Sequence, residues 1–193
     1  MERLGDRALR FARPHAAPAR ILAAVRAWPG VCDVVIGGHD VAIYFAGEPN
    51  DDYDTRIEEL AALPIDPVAG RDHQIRVVYD GEDLAVIAAA ARLAIADVIA
   101  AHAARTYEVA SIGFLPGFAY LDGLDPRLEL PRRETPRTRV PAGALAIAGT
   151  QTAVYPFASP GGWHLLGRVI DGPMFTPEHG ARLVFGDRVR FVP

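Results

Sequence analysis

The chain has 193 residues, of which 50% are hydrophobic and 23% are charged, a composition typical of a soluble globular protein. A formal charge of −4 excludes a basic field for nucleic acid. All twenty basic residues are arginine, which excludes a P-loop lysine and a Schiff-base lysine. With one cysteine, Cys32, and no apolar run long enough for a bilayer, we expect a cytoplasmic protein without an intrachain disulfide or a membrane partner.

The first 80 residues have the pattern of a small α+β domain. Apolar residues at helical spacing predict helices over Pro18–Trp28 and Asp54–Leu63. Runs of β-forming residues predict the strands Ala8–Phe11, Val31–Ile36, Val41–Phe45 and Gln74–Tyr79. The order strand, helix, two strands, helix and strand predicts a ferredoxin-like domain over residues 1–80. Cys32 adjoins the apolar run 34–36, so we expect a buried structural thiol there.

A pair of helices opens the second predicted domain, residues 81–193. Apolar spacing places these helices over Glu82–Leu93 and Ile95–Ala104. The second helix carries Asp97 and His102 but no arginine, so it lacks the basic face that inserts into a DNA groove. We therefore exclude a DNA-binding helix-turn-helix and expect no nucleic-acid partner.

From Tyr107 onward the pattern changes to short apolar runs divided by turns. The predicted strands are Glu108–Ile112, Ala144–Ala148, Thr152–Tyr155, His164–Ile170 and Arg188–Val192. Many short strands with proline-rich connections favour a closed β-barrel over a sandwich, because closure removes exposed strand edges. The expected fold class is α+β, with the small ferredoxin-like domain preceding a barrel domain.

The candidate site lies between Gly113 and Arg168, where arginines, aromatic residues and Pro-Gly corners are concentrated. Guanidinium groups bind carboxylate or phosphate in a bidentate manner, and prolines stiffen the loop that carries them. On this basis the anion-binding candidates are Arg132, Arg137 and Arg139. The alternative is that these arginines pair with acidic residues of their own chain.

Glycines and aromatic residues complete the candidate binding site. Gly117 and the pair Gly161-Gly162 either present backbone N–H groups to an anion or serve turns that follow Pro116 and Pro160. Five aromatic residues are candidates for pocket walls and equally for core positions: Phe114, Phe118, Tyr120, Tyr155 and Trp163.

Three residues are candidates for catalysis. His102 and His164 are possible acid–base groups, and Gln151 is a possible donor to a carbonyl oxygen. Capping or packing explains His102 as well, an exposed strand position explains His164, and closure of a turn explains Gln151. The histidines show no metal-binding spacing, so we predict no metal site. No Ser–His–Asp triad can be assembled from the spacing of the sequence either.

Four motifs resemble one known family. They are PGFAYL (Pro116–Leu121), LPRRETPRTRVPAG (Leu130–Gly143), AIAGTQTAVYP (Ala146–Pro156) and SPGGWHLLGR (Ser159–Arg168). In this order they resemble the allophanate hydrolase subunit 1 family. The opening GDRAL and the closing GDRVRFVP extend the resemblance over nearly the whole chain.

The resemblance implies a C-terminal cyclophilin-like barrel preceded by a small α/β domain. It also implies a role as one part of an ATP-dependent 5-oxoprolinase that cleaves 5-oxoproline to glutamate. Two partners are implied, a protein like the enzyme's A subunit and a barrel protein like its C subunit, with ATP used together with Mg²⁺. The family also includes an inhibitor of a sensor histidine kinase and part of urea carboxylase. Kinase binding and allophanate or urea processing are therefore the alternative functions.

Overall fold

The computed structural model describes residues 1–49, 53–65 and 70–193. The chain divides into a first unit, Met1–Ala69, and a second unit, Gly70–Pro193. The predicted boundary at residue 80 lies beyond the observed one. The reason is that the strand over residues 72–78 belongs to the second unit.

In its described residues the first unit contains a four-stranded antiparallel sheet and two helices. Its strands, in sheet order, are β1 (Glu2–Arg3), β2 (Ala8–Ala12), β4 (Asp40–Phe45) and β3 (Val31–Ile36). Its helices are α1 (Pro18–Arg26) and α2 (Asp54–Ala61). Alternation along β4 buries every second side chain, namely Val41, Ile43 and Phe45. The helical period of α1 buries Ile21 and Val25.

The strand expected to close this unit lies elsewhere. β1 occupies the sheet edge beside β2, whereas the predicted strand Gln74–Tyr79 falls mostly within a barrel strand of the second unit. The ferredoxin-like arrangement is therefore not confirmed. Cys32 is exposed on the edge strand β3, where its thiol donates to the Tyr44 carbonyl oxygen at 3.3 Å, so the expected buried thiol is wrong.

The second unit contains a closed seven-stranded barrel, which confirms the predicted barrel and the α+β class. In order around the barrel its strands are β10 (Gln151–Val154), β7 (Ala119–Asp122), β6 (Tyr107–Ile112), β15 (Arg188–Val192), β5 (Asp72–Val78), β12 (His164–Val169) and β9 (Ala144–Ala148). Two small sheets pair β8 (Arg137–Val140) with β11 (Ser159–Gly161) and β13 (Phe175–Thr176) with β14 (Gly180–Ala181).

Two helices and a short 3₁₀ turn accompany the barrel. The helices are α3 (Leu84–Ala91) and α4 (Ile95–Ala103), and the 3₁₀ turn covers Pro126–Leu128. The predicted helical pair is confirmed with slightly shorter helices, since Arg92 ends α3 in a left-handed conformation with φ 55°. Across the described ranges no single helix is long and apolar enough for a membrane span; α3 and α4 reach that threshold only when counted together, as a pair bent by 91°.

Strand β9 separates two apolar layers, and all five of its residues are buried. Leu145 and Ile147 point into the barrel core, whereas the three alanines between and beside them face a second cluster outside the barrel wall. Because alanine side chains are small, bulky rings can lie close to the strand. This second cluster forms the floor of the candidate site.

Candidate functional site

Pairing of β8 with β11 brings the arginine-rich segment beside the SPGGW turn. Arg137 lies opposite Gly161, and Val140 lies opposite Ser159. The backbone N–H of Arg133 also donates to the Gly162 carbonyl oxygen at 2.8 Å. Two motifs that are well separated in the sequence therefore form one wall of the site.

An aromatic cluster lies against this wall. The Phe118 ring makes edge contacts with three neighbours, at centroid distances of 4.9 Å to Tyr120, 5.3 Å to Tyr155 and 5.8 Å to Trp163. Phe114 stands at the rim, 59% exposed, and touches Phe118 at 5.3 Å. Phe114 also has φ 69°, a strained conformation for a bulky side chain.

These elements enclose a pocket of about 230 Å³. Seven of the predicted site residues line it, together with two prolines; the full lining is Phe114, Tyr120, Arg132, Pro136, Tyr155, Pro160, Gly161, Gly162 and Trp163. We call it the Arg132 pocket. Phe118 is buried beneath it, which leaves the walls mainly apolar with one positive charge.

Arg132 is the charged residue of the pocket lining. Its guanidinium carbon lies 6.0 Å from the centre of the Trp163 ring, within reach of a cation–π contact. Over the described ranges no carboxylate pairs with this exposed guanidinium. Burial raises the pKa of the Tyr120 and Tyr155 hydroxyls, and the positive charge of Arg132 only partly opposes this rise. Both hydroxyls therefore stay protonated at neutral pH.

Arg137 is committed to the protein's own carboxylates, contrary to its predicted role as an anion clamp. Its guanidinium donates to both oxygens of Asp83 at 2.8 and 2.9 Å, and to Glu82 at 2.7 Å. Both members of the Asp83–Arg137 pair are largely withdrawn from water, with side-chain exposures of 4% and 15%. The alternative of pairing within the chain is the one that Arg137 adopts.

Asp83 joins three parts of the second unit. Besides Arg137 it accepts from the Arg133 guanidinium at 3.1 Å and from the Leu165 backbone N–H at 2.7 Å. Burial alone would raise the pKa of the carboxyl group. The hydrogen bonds from Arg137 and Leu165, with the positive charges of Arg137 and Arg133, nevertheless hold its pKa below the usual value. Asp83 thus ties the arginine-rich segment to β12 and to the start of α3.

Other predicted anion-binding groups lie outside the pocket or have packing roles. Arg139 is exposed on β8 and does not line the pocket. Gly117 is buried with φ 79°, and a Cβ there would lie 2.7 Å from the Phe175 Cβ, so close packing requires glycine. A Cβ on Gly161 would collide with the Tyr155 hydroxyl. Pro116 is an exposed turn residue next to Gly117.

His102 lies inside the barrel core and has no access to the pocket. The Thr152 hydroxyl donates to the Ala146 carbonyl oxygen at 3.0 Å, so it accepts from His102 Nε2, also at 3.0 Å. His102 Nδ1 then accepts from the Tyr79 hydroxyl at 2.8 Å. This buried chain satisfies both ring nitrogens, and the packing alternative therefore fits His102 better than acid–base catalysis.

The other two catalytic candidates also have structural partners. His164 is buried, and its Nε2 donates to the Pro131 carbonyl oxygen at 3.0 Å, next to Arg132. The alternative of an exposed strand position is therefore wrong, and the contact with Pro131 makes His164 a candidate positioning residue for the pocket. Gln151 donates to Asp122 at 2.7 Å across the β10–β7 pair and lies outside the pocket lining.

We expect the free energy of unfolding to fall as the pH is lowered from 7 to 5. Burial lowers the pKa of His102 to about 3 in the folded protein, against 6.5 in an exposed imidazole. Between these values the unfolded chain binds a proton that the folded chain does not, so the loss is about 2 kcal/mol at pH 5. Urea unfolding at pH 7, 6 and 5 measures it. His102→Gln should flatten this pH dependence, and an unchanged dependence would contradict the assignment.

Sequence reasoning missed Asp83, Pro136 and Pro160. The two prolines were expected to stiffen loops and turns, not to form pocket walls. Asp83 directly precedes an apolar helix, where the sequence offers no signal for its pairing with an arginine 54 positions later. Among the described residues no group of three His, Cys, Asp or Glu side chains is placed to hold a metal ion.

Known proteins resemble this chain in sequence and in fold. The family model for the carboxyltransferase domain, subdomain C and D, matches residues 6–183. The B subunit of 5-oxoprolinase from Haemophilus influenzae is 42% identical over 145 residues, which cover 71% of this chain and 67% of the relative. The B subunit of 5-oxoprolinase from Escherichia coli O157:H7 is 46% identical over 125 residues, which cover 62% of this chain and 57% of the relative. The aligned regions thus span about three fifths to two thirds of these relatives.

Solved structures agree with the family match. The crystal structure of TTHA0988 is 37% identical with a TM-score of 0.82, and the alignment covers 96% of this chain and 39% of that one. The urea carboxylase of Kluyveromyces lactis has a TM-score of 0.75 at 19% identity, covering 99% of this chain and 21% of that one, and it shows the fold alone. Since the family match covers most of the chain, the protein belongs to the carboxyltransferase subdomain C and D family and, within it, to the group that holds the allophanate hydrolase subunit 1 proteins and the B subunits of 5-oxoprolinase.

Proposed function

We propose that this chain acts as the B subunit of an ATP-dependent 5-oxoprolinase and that the Arg132 pocket binds the substrate, 5-oxoproline. The assignment of the substrate site depends on one observation. The guanidinium of Arg132 lies at an aromatic pocket and has no carboxylate partner in the described residues. The names of relatives with 40–46% identity support the assignment to this enzyme.

The pocket suits the two chemical features of 5-oxoproline. The substrate is a flat five-membered lactam with one carboxylate. Its ring fits among the aromatic side chains that line the pocket, and its carboxylate matches the planar fork of Arg132. A bound ring would exclude water from one side of the exposed Arg132 guanidinium, which strengthens the charge-assisted hydrogen bond to the carboxylate.

The pocket also offers a donor for the lactam oxygen. The amide of the lactam is resonance-stabilised, so opening the ring requires an electrophile more reactive than the free carbonyl. The lactam oxygen of the bound substrate carries partial negative charge, and a preorganised donor holds it in place. The Tyr120 hydroxyl lines the pocket and stays protonated, because burial raises its pKa. We assign it the role of donor to that oxygen.

ATP does not fit the donor set of this pocket. Phosphorylation of the lactam oxygen by ATP would supply the activation that ring opening needs. A triphosphate with Mg²⁺ requires several cationic or backbone donors and carboxylate ligands, whereas Arg132 is the one charged residue among the described residues of the lining. We therefore place ATP on one of the partner proteins and assign no ATP-dependent step to this chain.

Partner proteins are part of the same proposal. A protein like the A subunit of 5-oxoprolinase and a barrel protein like its C subunit would complete the active enzyme, and the chain alone would be inactive or nearly so. A cytoplasmic location agrees with the single cysteine and with the use of ATP. The relatives at 40–46% identity are not named as kinase inhibitors, so that alternative gains no support from them.

Co-expression of the three proteins tests the assignment. With ATP and 5-oxoproline, glutamate release should require this chain together with the A-like and C-like proteins of the same genome. Leaving out each protein in turn provides the controls. No release from the full set, or undiminished release without this chain, would overturn the proposed function.

A further inference from the structure

A second cavity, of about 360 Å³, lies wholly within the first unit. It is bordered by the residues that follow β2 and by the turn between β3 and β4; its lining is Arg13, Pro14, His15, Gly38 and His39. We call it the Arg13 pocket. Its polar side chains are one guanidinium and two imidazoles, and nothing in the proposed oxoprolinase function uses them.

In the described residues the Arg13 guanidinium makes one hydrogen bond, and its other N–H groups are available to a ligand. The Arg13 backbone N–H donates to the His39 carbonyl oxygen at 2.8 Å, which fixes the two segments opposite each other. One guanidinium nitrogen donates to the Gly37 carbonyl oxygen at 3.2 Å. Within the part of the chain that the structure describes, the remaining guanidinium N–H groups have no acceptor, and the side chain is half-buried.

The charge of this pocket is not neutralised by the residues that the structure describes around it. Its lining, all of it within the described range 1–49, contains no carboxylate. Asp40, which follows His39, is held by Arg10 at 2.6 Å and is therefore already paired. Helix α1 begins at Pro18, and its first turn contains no acidic residue that could neutralise Arg13.

This donor set points to a phosphate group. A carboxylate can be satisfied by one guanidinium fork, whereas a phosphate carries three or more acceptor oxygens in different directions. Arg13 and His15 on one segment and His39 on the other line the cavity, and Gly38 leaves space at the turn. We propose that the Arg13 pocket binds phosphate, either free or as the end of a small phosphorylated molecule, whose remainder the volume accommodates.

Amide NMR titration of the full chain tests this site. The probes are inorganic phosphate, AMP and adenosine. Phosphate and AMP should give saturable shifts at Gly38 and His39, and adenosine should give none. Tighter binding of AMP than of phosphate would identify a phosphorylated metabolite as the ligand class, whereas equal affinity would identify recognition of the phosphate alone.

Matched variants decide whether Arg13 is responsible. Arg13→Gln should weaken phosphate binding about tenfold or more, since a charge-assisted bidentate contact is lost. Arg26→Gln removes the same charge from an exposed position at the end of α1 and should leave binding within about twofold of the unchanged protein. If Arg13→Gln fails to fold, His39→Ala decides, with about threefold weaker binding expected from the loss of one neutral donor. Absent saturation, or equal binding by Arg13→Gln, would overturn the proposal.

Discussion

Replacing Asp83 with asparagine should lower the free energy of unfolding by up to about 3–5 kcal/mol, because the largely buried Arg137 then keeps only the exposed Glu82 as a carboxylate partner. The substitution keeps the shape of the side chain but removes the negative charge that faces Arg137 and Arg133. It also weakens the acceptor for the Leu165 backbone N–H. Urea denaturation of the purified chain measures the change.

Asp72→Asn is the matched control for Asp83→Asn. Asp72 also accepts two hydrogen bonds from one arginine, Arg188, both at 2.9 Å, but these two side chains are 72% and 57% exposed. An exposed pair contributes about 0–1 kcal/mol, so this variant should lose far less stability. Equal losses in the two variants would show that burial of the Asp83 pair is not what stabilises this region.

Arg132→Gln should lower kcat/KM for 5-oxoproline in the assembled enzyme by about 10- to 100-fold, because a hydrogen bond to a charged group contributes about 1.5–3 kcal/mol. Glutamine offers neither the charge nor the fork of the guanidinium. Because Arg132 is exposed and has no carboxylate partner in the described residues, the stability of the isolated chain should be unchanged.

Arg139→Gln controls for the loss of a positive charge from the same segment. Arg139 is exposed but does not line the pocket, so its replacement should leave activity within about twofold. Full activity of Arg132→Gln in an enzyme that still requires this chain would reject the pocket as the substrate site and leave the proposed place of the chain in the enzyme intact. A larger loss with Arg139→Gln would move the site to the outer face of β8.

Local sequence patterns predicted most elements but not their partners. The alternation in β4 and the helical spacing in α1 are properties of neighbouring residues, and both elements were found where expected. The error concerned β5, whose apolar alternation suits either unit. In the barrel β5 pairs with β12 and β15, both about 90 or more residues later in the chain, and no short-range signal indicates such pairings.

For the candidate site, too, short-range sequence patterns predicted some residues and could not predict contacts between distant ones. Its aromatic walls could be predicted because Phe114, Tyr155 and Trp163 occur in proline- and glycine-rich motifs that form shaped loops. Which arginine faces the ligand could not be predicted, because the choice depends on Asp83, which lies 54 positions before Arg137. That carboxylate engages Arg137 and Arg133 and leaves Arg132 available.

The parallel pairing of β5 with β15 affects how the protein can be made. Residues 72 and 188 sit side by side although 116 positions separate them. Until β15 has been synthesised, β5 and β6 each have an unpaired edge, and the barrel cannot close. Topologies with such long-range pairing fold slowly, and in the meantime their unpaired strand edges can pair with other chains and aggregate. The yield of folded protein should therefore depend on the rate of translation and on the supply of chaperones.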